Sequence, residues 1–505
     1  MSTEDVRIVH PERLGRALRG SAVGNIIEWY EFGVFGFLIT VMGPVFLPQA
    51  DPTVQSLYLF GTFAVTFVAR PLGGVFFGWL GDRLGRRKVL TLTLLLMSFA
   101  TLLTGLLPGY AQIGIWAPIL LVLLRLIQGF SASGEYTSAA TFLSEFAPDR
   151  ERGRYTGILA SMIYIGFAFG AGLVGVLQLS TSAEFMQGWG WRIPFLVSLP
   201  MTAIALYIRY RVEESPAFVA VMRDREALER KLQQTERNPG IVAVVATQWR
   251  ALLPVIGIAA AGNVIAYTMF SYVPTYLSQT LGFASEVSNL VLFPLYVVAV
   301  FCTIGAGMLS DRIGRRRTLL IGATIALLFA VPAFLLMGTG LAWLAMIGAL
   351  FVMVASSFFS QSYASTLPEQ FPTASRNTAL GFAYNIGNAA LGGTAPIVIA
   401  AIVAATGSTL APAYYLVGAA VLGLVATLGI KETSRRPLRG SMPNVRTLPE
   451  AQKLVAEQSE TPLLALVGLP LPYAAYADAT GERLSSSDPR VVAAAKSVGI
   501  NHERQ

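Results

Sequence analysis

The sequence predicts an all-α membrane protein with twelve transmembrane helices arranged as two six-helix halves. Hydrophobic residues make up 54% of its 505 residues and charged residues only 13%, a composition suited to lipid. Apolar stretches of about 20 residues recur along the chain, and each is long enough to cross a hydrocarbon core as a helix. These stretches are continuous and do not alternate with polar residues, which favours helices over barrel strands.

The predicted spans form two sets of six. Read from apolar runs between charged breaks, the first set covers residues 20–43, 57–80, 89–108, 116–141, 154–179 and 192–210. The second set covers residues 251–279, 287–309, 318–338, 342–365, 377–404 and 411–430.

The distribution of lysine and arginine predicts the orientation of the spans. Alternate loops contain no basic residue, whereas the intervening loops carry several arginines, and basic loops stay on the cytoplasmic side. We therefore expect a multi-pass protein of the cytoplasmic (inner) membrane with both termini cytoplasmic. The expected domains are a cytoplasmic N-terminus at 1–19, a six-helix bundle at 20–210, a cytoplasmic linker at 211–250, a second bundle at 251–430 and a cytoplasmic tail at 431–505.

Two sequence matches indicate that the halves are related. The loop from Gly78 to Arg87 resembles the loop from Gly307 to Arg316, and Asp311 follows Asp82 at an offset of 229 positions. A second match pairs Glu145, Pro148, Arg152 and Gly157 with Glu369, Pro372, Arg376 and Gly381, each 224 residues further on. Two matches at nearly one offset indicate a duplicated six-helix unit, and such duplication is typical of transporters whose site lies between the halves.

Several classes of function are disfavoured by the same composition. Cys302 is the one cysteine, and His10 and His502 lie in polar termini, so we expect no metal site and no cofactor. The sequence contains no phosphate-binding loop or zinc-protease motif, and we expect no enzyme activity. The net charge of +8 fits contact of the cytoplasmic loops with anionic lipids rather than nucleic acid. A non-transporting receptor is the competing class.

The repeated pattern G-x-x-x-D-R-x-G-R-R resembles the signature of the major facilitator superfamily. Other motifs are similar to those of its metabolite:proton symporter family, and particularly of the osmoregulatory proline/glycine-betaine symporters. The motifs of the wider symporter family are Gly24 to Phe32, Arg70 to Gly74, Gln128 to Phe130, Gly134 to Tyr136, Glu214 to Phe218 and Tyr384 to Pro396. The resemblance to the proline/glycine-betaine symporters lies in Ile113 to Leu120, Trp189 to Phe195, Ala364 to Pro368, Lys431 to Thr433 and Arg436 to Gly440. Two departures from the family pattern are Ser133, which replaces a glycine, and Glu31, which replaces the commoner aspartate.

The resemblance implies a major facilitator fold that works by alternating access. It also implies proton-coupled import of a small zwitterionic solute such as glycine betaine, proline or ectoine. The alternative within transport is a proton symporter for an organic acid such as 2-oxoglutarate, citrate or shikimate. Osmotic activation, stoichiometry, oligomeric state and the role of the tail are left open.

Charged side chains inside the predicted spans are the candidates for coupling, because burying them in lipid costs several kcal/mol each. Glu28, Glu31 and Glu135 are the predicted proton carriers. Protonation of one of them would release an arginine to attract a solute carboxylate, and the first half offers Arg70 and Arg125. In the competing interpretation, Arg70 and Glu135 only hold helices together.

Aromatic and amide side chains are the candidates for solute recognition, since aromatic faces attract quaternary ammonium groups. The predicted solute contacts are Trp29, Tyr30, Tyr136, Asn263, Tyr267, Tyr384 and Asn385, together with Arg70 and Arg125. The repeated loops supply the predicted cytoplasmic gate, formed by Asp82, Arg83, Arg86, Asp311, Arg312 and Arg315.

Overall fold

The computed structural model describes residues 6–9, 11–84, 86–210, 241–373 and 375–459. These residues are mainly helical. We number the membrane spans 1 to 12 in the order predicted from the sequence. The predicted linker lies largely outside the described residues, and the helix of span 7 begins at Ile241, before the predicted boundary at residue 251.

The first half contains spans 1 to 6, several of which are interrupted. Their helices are Pro11–Phe37 and Ile39–Phe46 in span 1, Pro52–Leu84 in span 2, Arg86–Leu106 in span 3, Trp116–Ser131 and Glu135–Phe146 in span 4, Arg152–Ser180 in span 5 and Arg192–Tyr210 in span 6. Short helices Tyr110–Ile113 and Ala183–Phe185 and a π-helix Met186–Gly190 lie in the connections.

The second half contains spans 7 to 12. Its helices are Ile241–Tyr267 and Val273–Thr275 in span 7, Ser285–Ile313 in span 8, Arg315–Met337 in span 9, Ala342–Ala364 and Thr366–Glu369 in span 10, Arg376–Gly387 and Ala395–Thr406 in span 11 and Ala411–Leu428 in span 12. Three π-helical segments, Thr268–Tyr272, Tyr276–Thr280 and Asn388–Gly392, continue spans 7 and 11.

The length and hydropathy of these helices agree with the predicted spans. Among the described residues, nine helical segments are long and apolar enough to cross a membrane, and a tenth is span 1, which bends by 64°. Spans 3 and 6 are occupied by shorter apolar helices, Thr91–Leu106 and Arg192–Tyr207. The prediction of a multi-pass helical membrane protein is therefore confirmed, and the two short helices lie where the remaining spans were predicted.

Spans 5 and 8 pack closely across the interface between the halves. Gly153 and Gly157 of span 5 face Gly307 of span 8, and a Cβ atom on Gly307 would overlap the Gly153 carbonyl oxygen. Glycine lets two helix backbones approach in this way. The interface is therefore closed at this end of the bundle.

The opposite end of the bundle is also closed. Ser56 of span 2 donates to Gln279 of span 7 at 2.8 Å. Asn289 of span 8 donates to the side chain of Gln178 in span 5 at 2.9 Å. Both bonds join one half to the other, so the structure is occluded between two closed ends.

The described ends of the chain meet on one side of the bundle. Arg7–Ile8 and Asn444–Val445 form a two-stranded parallel sheet, and a helix Leu448–Ser459 follows the second strand. The first described residues and the beginning of the tail therefore lie at the same end as Gly153 and Gly307.

The contact between Gly153 and Gly307 gives a first prediction. Gly307→Leu should shift the closed interface toward opening by about 1–3 kcal/mol, because the larger side chain does not fit. The measurement is the rate of maleimide labelling of a cysteine at Thr366, which is buried at this end, in a Cys302→Ser background. Gly305→Leu is the matched control, since a Cβ at Gly305 meets open space. Equal labelling rates in the two variants would contradict the prediction.

Candidate functional site

A buried ion pair lies at the centre of the first half. The Arg70 Nη2 atom of span 2 is 3.2 Å from the Glu28 Oε1 atom of span 1, and both side chains are at most 1% exposed. The guanidinium also lies over the rings of Phe32 and Phe67, 4.7 and 4.8 Å from their centroids. The Trp29 ring lies further away, at 6.0 Å, so Arg70 contacts one carboxylate and three aromatic faces.

The glycines next to these charged residues explain how spans 2 and 4 come together. A Cβ on Gly73 would overlap the Phe130 carbonyl oxygen, and a Cβ on Gly129 would overlap that of Thr66. Only residues without a side chain allow this approach. The close packing brings Arg70 beside the residues of span 4.

A second network surrounds Glu31. Its Oε2 atom accepts hydrogen bonds from Thr101 at 2.6 Å and from Gln128 at 3.2 Å. The Gln128 side-chain oxygen in turn accepts from Arg125, whose guanidinium lies 3.6 Å from the centroid of the Phe35 ring. Arg125 donates only, so it fixes the Gln128 amide with its nitrogen toward Glu31.

Glu135 lies between these two networks. It is 2% exposed and begins the second helix of span 4, after a 3-10 turn at Ala132–Gly134. It is within electrostatic reach of both Glu28 and Glu31. The structure therefore gathers the three predicted carboxylates and both arginines in the first half, with Arg70 paired to Glu28.

Five aromatic residues from both halves meet beside the ion pair. We call Trp29, Tyr136, Tyr267, Tyr363 and Tyr384 the central aromatic cluster. Trp29 stacks on Tyr267 at 6.2 Å and meets Tyr136 edge-on at 6.3 Å. Tyr384 lies 5.5 Å from Tyr136 and 5.3 Å from Tyr363. Each of the five is at most 3% exposed.

Two asparagines of span 11 border the cluster. Asn388, in a π-helical segment, donates to the Tyr267 hydroxyl at 3.2 Å. Asn385 donates to the Ser133 carbonyl oxygen in the other half at 2.8 Å. Irregular helical turns of this kind are frequent at functional sites.

Two predicted solute contacts donate their hydrogen bonds to backbone carbonyls outside the cluster. The Tyr30 hydroxyl donates to the Pro194 carbonyl oxygen of span 6 at 2.6 Å, and the Tyr30 ring packs against Phe169. Asn263 donates to Ala259 within its own helix at 2.8 Å. The Tyr30 hydroxyl is thus bonded away from the central aromatic cluster, whereas Asn263 lies beside it, since a Cβ on Gly392 would be 2.5 Å from the Asn263 Cβ and 3.5 Å from the Tyr267 ring.

A set of crossed ion pairs closes the end of the bundle that contains Gly153 and Gly307. Arg152 of the first half bonds to Glu369 of the second at 2.9 Å. Arg376, its equivalent in the repeat, bonds to Glu145 at 2.7 Å. The two halves thus exchange equivalent salt bridges, and all four side chains belong to the second sequence match.

Asp311 and Arg315 of the predicted gate extend this cluster. Asp311 accepts from the backbone nitrogens of Gly153 and Arg154, at the start of the span 5 helix, at 2.8 Å. A carboxylate at a helix N-terminus is favoured by the helix dipole. Arg315 contacts Asp311 and Glu369 at 2.9 and 3.0 Å.

The other predicted gate residues differ in position. Arg312 is exposed and forms no ion pair within the described part of the chain. The side chains of Asp82, Arg83 and Arg86 lie outside the described residues, so their predicted roles stay predictions.

The first part of the tail crosses this closed end and contacts both halves. We call residues 432–446 the tail segment. Glu432 accepts from the first backbone nitrogens of span 9, at 2.9 and 3.1 Å. The carbonyl oxygens of Arg436 and Arg439 accept from Arg152 and Arg376, both at 3.2 Å. Separation of the halves at this end must break some of these hydrogen bonds between the tail segment and the two halves.

Comparison with known proteins decides the family. The model of the sugar (and other) transporter family matches residues 20–442. The chain belongs to this family. It is 40% identical over 453 residues to the proline/betaine transporter of Salmonella typhimurium, with 90% of each chain covered.

Further relatives support the same placement in the transporter family. The glycine betaine/proline/ectoine/pipecolic acid transporter OusA of Dickeya dadantii is 40% identical, with 91% of this chain and 92% of that protein covered. The ectoine/proline transporter ProP of Corynebacterium glutamicum is 39% identical, with 94% and 95% covered.

Solved structures confirm the major facilitator fold predicted from the sequence. The proton:xylose symporter XylE bound to 6-bromo-6-deoxy-D-glucose matches with a TM-score of 0.66 at 19% identity, covering 85% of this chain and 98% of that one. A partially occluded inward-open structure of XylE from E. coli matches with a TM-score of 0.63 at 20% identity, covering 83% and 97%. At this identity the likeness concerns the fold.

Several residues of this transporter's site had no assigned role in the sequence analysis. Thr101 is an ordinary polar residue of an apolar helix, and Gln128 belongs to a family motif, but only the structure shows that both contact Glu31. Glu145 and Arg376 served in the sequence analysis only as evidence of the repeat. In that repeat they correspond to Glu369 and Arg152, and this correspondence was the one signal for the crossed pairs. Asn444 had no such signal.

Asp149 at the closed end gives a prediction on pH. It bonds to Arg152 and accepts from the Asn444 backbone nitrogen at 3.0 Å. Burial raises the pKa of Asp149 from its ordinary 3.8 to about 6, although Arg152 and Asn444 oppose the rise. Closing this end therefore takes up a proton between those pH values, so closure should strengthen as the pH falls through 6.

The same cysteine at Thr366 reports this effect. When the pH is lowered from 7.5 to 5.5, the fraction of protein in which maleimide can reach this cysteine should fall about fourfold, as the raised pKa of Asp149 requires. Asp149→Asn should lose this dependence, and comparison at each pH removes the pH dependence of the thiol reaction itself. Asp51→Asn, at an exposed position, should keep it. An identical pH response in Asp149→Asn and the unsubstituted reporter protein would refute the prediction.

Proposed function

We propose that this transporter imports a small zwitterionic compatible solute, such as glycine betaine, proline or ectoine, together with protons. The observation that carries the proposal is the buried Glu28–Arg70 pair beside an aromatic cluster built from both halves. The names of the relatives, proline/betaine and ectoine/proline transporters, support the solute class. The chain's mechanism is alternating access between its two halves.

Coupling follows from the charge of Arg70. While Glu28 is ionised, it neutralises the guanidinium 3.2 Å away. Protonation of Glu28 leaves the positive charge uncompensated in a buried site, where charges interact strongly. A solute carboxylate then binds more tightly beside Arg70. The solute thus favours the protonated state, and this difference in affinity is what coupling requires.

The aromatic cluster favours a zwitterion over an organic acid. The faces of Trp29 and Tyr267 attract an ammonium group, which 2-oxoglutarate, citrate and shikimate do not have. The first half supplies the carboxylates for protons, and both halves supply aromatic residues of the cluster to recognise the solute.

We place the chain in the inner membrane with both termini in the cytoplasm. The arginine-rich loops support this orientation, and the pairing of Arg7–Ile8 with Asn444–Val445 agrees with it because both segments lie at one end. The crossed pairs and the tail segment then form the cytoplasmic gate. Anionic lipids contact the basic loops on this side.

Uptake into proteoliposomes tests the proposed function. With an acidic exterior, labelled glycine betaine should accumulate above its external concentration, and a protonophore should abolish the accumulation. 2-Oxoglutarate, citrate and shikimate should not accumulate. Gradient-dependent accumulation of one of these acids without betaine would favour the alternative substrate class, and accumulation of none of them would overturn symport.

Glu28→Gln separates coupling from binding. The neutral amide resembles the protonated acid and cannot release a proton, so net accumulation should fall at least tenfold. Exchange of internal for external betaine needs no proton release and should continue. The measurement compares both fluxes in the same vesicles. Glu12→Gln, at an exposed position, is the control, and normal accumulation by Glu28→Gln would exclude Glu28 as a required carrier.

A further inference from the structure

Four polar atoms of the central aromatic cluster have no hydrogen-bond partner in the described part of the chain. They are the Trp29 indole nitrogen and the hydroxyls of Tyr136, Tyr363 and Tyr384. All four atoms are buried. By contrast, the Tyr30 hydroxyl bonds to Pro194, and the Tyr164 hydroxyl bonds to Ser356 and Ser360. The Tyr296 hydroxyl and the Trp191 indole nitrogen, outside the cluster, also lack a partner among the described residues. What distinguishes the cluster is that four such atoms lie on adjoining rings.

Packing alone does not account for these atoms. A buried donor without a partner costs about 1–3 kcal/mol, and phenylalanine would fill nearly the same space without that cost. Native proteins leave few buried polar groups unpaired, and such groups usually mark a function. Four in one cluster indicate that a ligand completes them.

The rings that carry the four donors adjoin one another in a continuous series. The ring of Tyr384 lies 5.5 Å from that of Tyr136 and 5.3 Å from that of Tyr363, and Trp29 lies 6.3 Å from Tyr136. Tyr363 is also within electrostatic reach of Tyr136. Trp29 and Tyr136 belong to the first half, Tyr363 and Tyr384 to the second, so a shared ligand would bridge the halves.

The chemistry of the donors selects an anion that accepts several hydrogen bonds. An indole nitrogen only donates, and each tyrosine hydroxyl has one proton to donate. A carboxylate has two oxygens with about four acceptor sites, which matches four donors. Arg70 lies beside the cluster, but its guanidinium is already paired with the Glu28 carboxylate.

We propose that Trp29, Tyr136, Tyr363 and Tyr384 bind the carboxylate of the transported zwitterion directly, through neutral donors. Its ammonium group lies against the neighbouring aromatic faces. This inference rests on the proposed function and assigns a role to Tyr363 that the sequence analysis did not give it. Arg70 acts on the same carboxylate through its field, since Tyr384 is within electrostatic reach of it. Protonation of Glu28 therefore strengthens binding at the tyrosines without displacing Arg70.

Removal of single hydroxyls tests the carboxylate site. Glycine betaine and choline share a quaternary ammonium, but choline has no carboxylate. Tyr136→Phe, Tyr363→Phe and Tyr384→Phe should each lower the preference for betaine over choline about tenfold, since each loses one hydrogen bond to a charged group. The preference is the ratio of the two dissociation constants, measured by calorimetry on purified protein at one pH. Choline affinity should stay within about twofold, as no bond to it is lost.

Tyr30→Phe is the matched control, because the Tyr30 hydroxyl bonds to Pro194 outside the cluster. This variant should prefer betaine over choline as strongly as the wild type does. An unchanged preference in all three cluster variants, or equal losses for betaine and choline, would overturn the carboxylate site. Choline binding by each variant also establishes that it is folded. If the wild-type protein bound no betaine, the proposed function itself would fail. Wild-type betaine binding with unchanged preferences in the variants would remove only the carboxylate site.

Discussion

The pairing of Glu28 with Arg70 in a site closed to water sets the conditions for the rest of the molecule. An ionised group in the membrane interior is stable only with a partner, and here the partners come from spans 1 and 2 of one half. A change in the charge of either residue alters the electrostatics of the whole centre. The aromatic cluster lies beside this pair and takes residues from both halves, so solute binding, proton binding and the contact between halves are linked.

The two closed ends of the interface are held together by different kinds of contact. At the arginine-rich end the halves exchange the equivalent pairs Arg152–Glu369 and Arg376–Glu145, and the tail segment binds both arginines. At the other end, within the described part of the chain, the side chains that join the halves are neutral, such as Ser56 and Gln279. Opening the arginine-rich end therefore requires the loss of ion pairs and of hydrogen bonds to the tail segment, whereas opening the other end breaks hydrogen bonds between neutral groups.

The helices and the embedded charges could be predicted because lipid imposes strict rules on sequence. Apolar length identifies a span, and a carboxylate or arginine within a span stands out at once, as Glu28 and Arg70 did. Partner choice could not be predicted in this way. Arg70 pairs with Glu28 although the sequence analysis also considered Glu135, and the bond from Gln128 to Glu31 depends on how the helices pack. The Tyr30 hydroxyl faces Pro194 because neighbours on one helix face different helices.

Solute-driven proton movement tests the central role of the buried acids most directly. Proteoliposomes without a pH gradient or membrane potential would receive glycine betaine while the external pH is recorded. Coupling through Glu28 predicts alkalinisation of the medium as protons enter with the solute, and its loss in Glu28→Gln. Betaine entry without alkalinisation, or alkalinisation undiminished in Glu28→Gln, would contradict the central role of the Glu28–Arg70 pair.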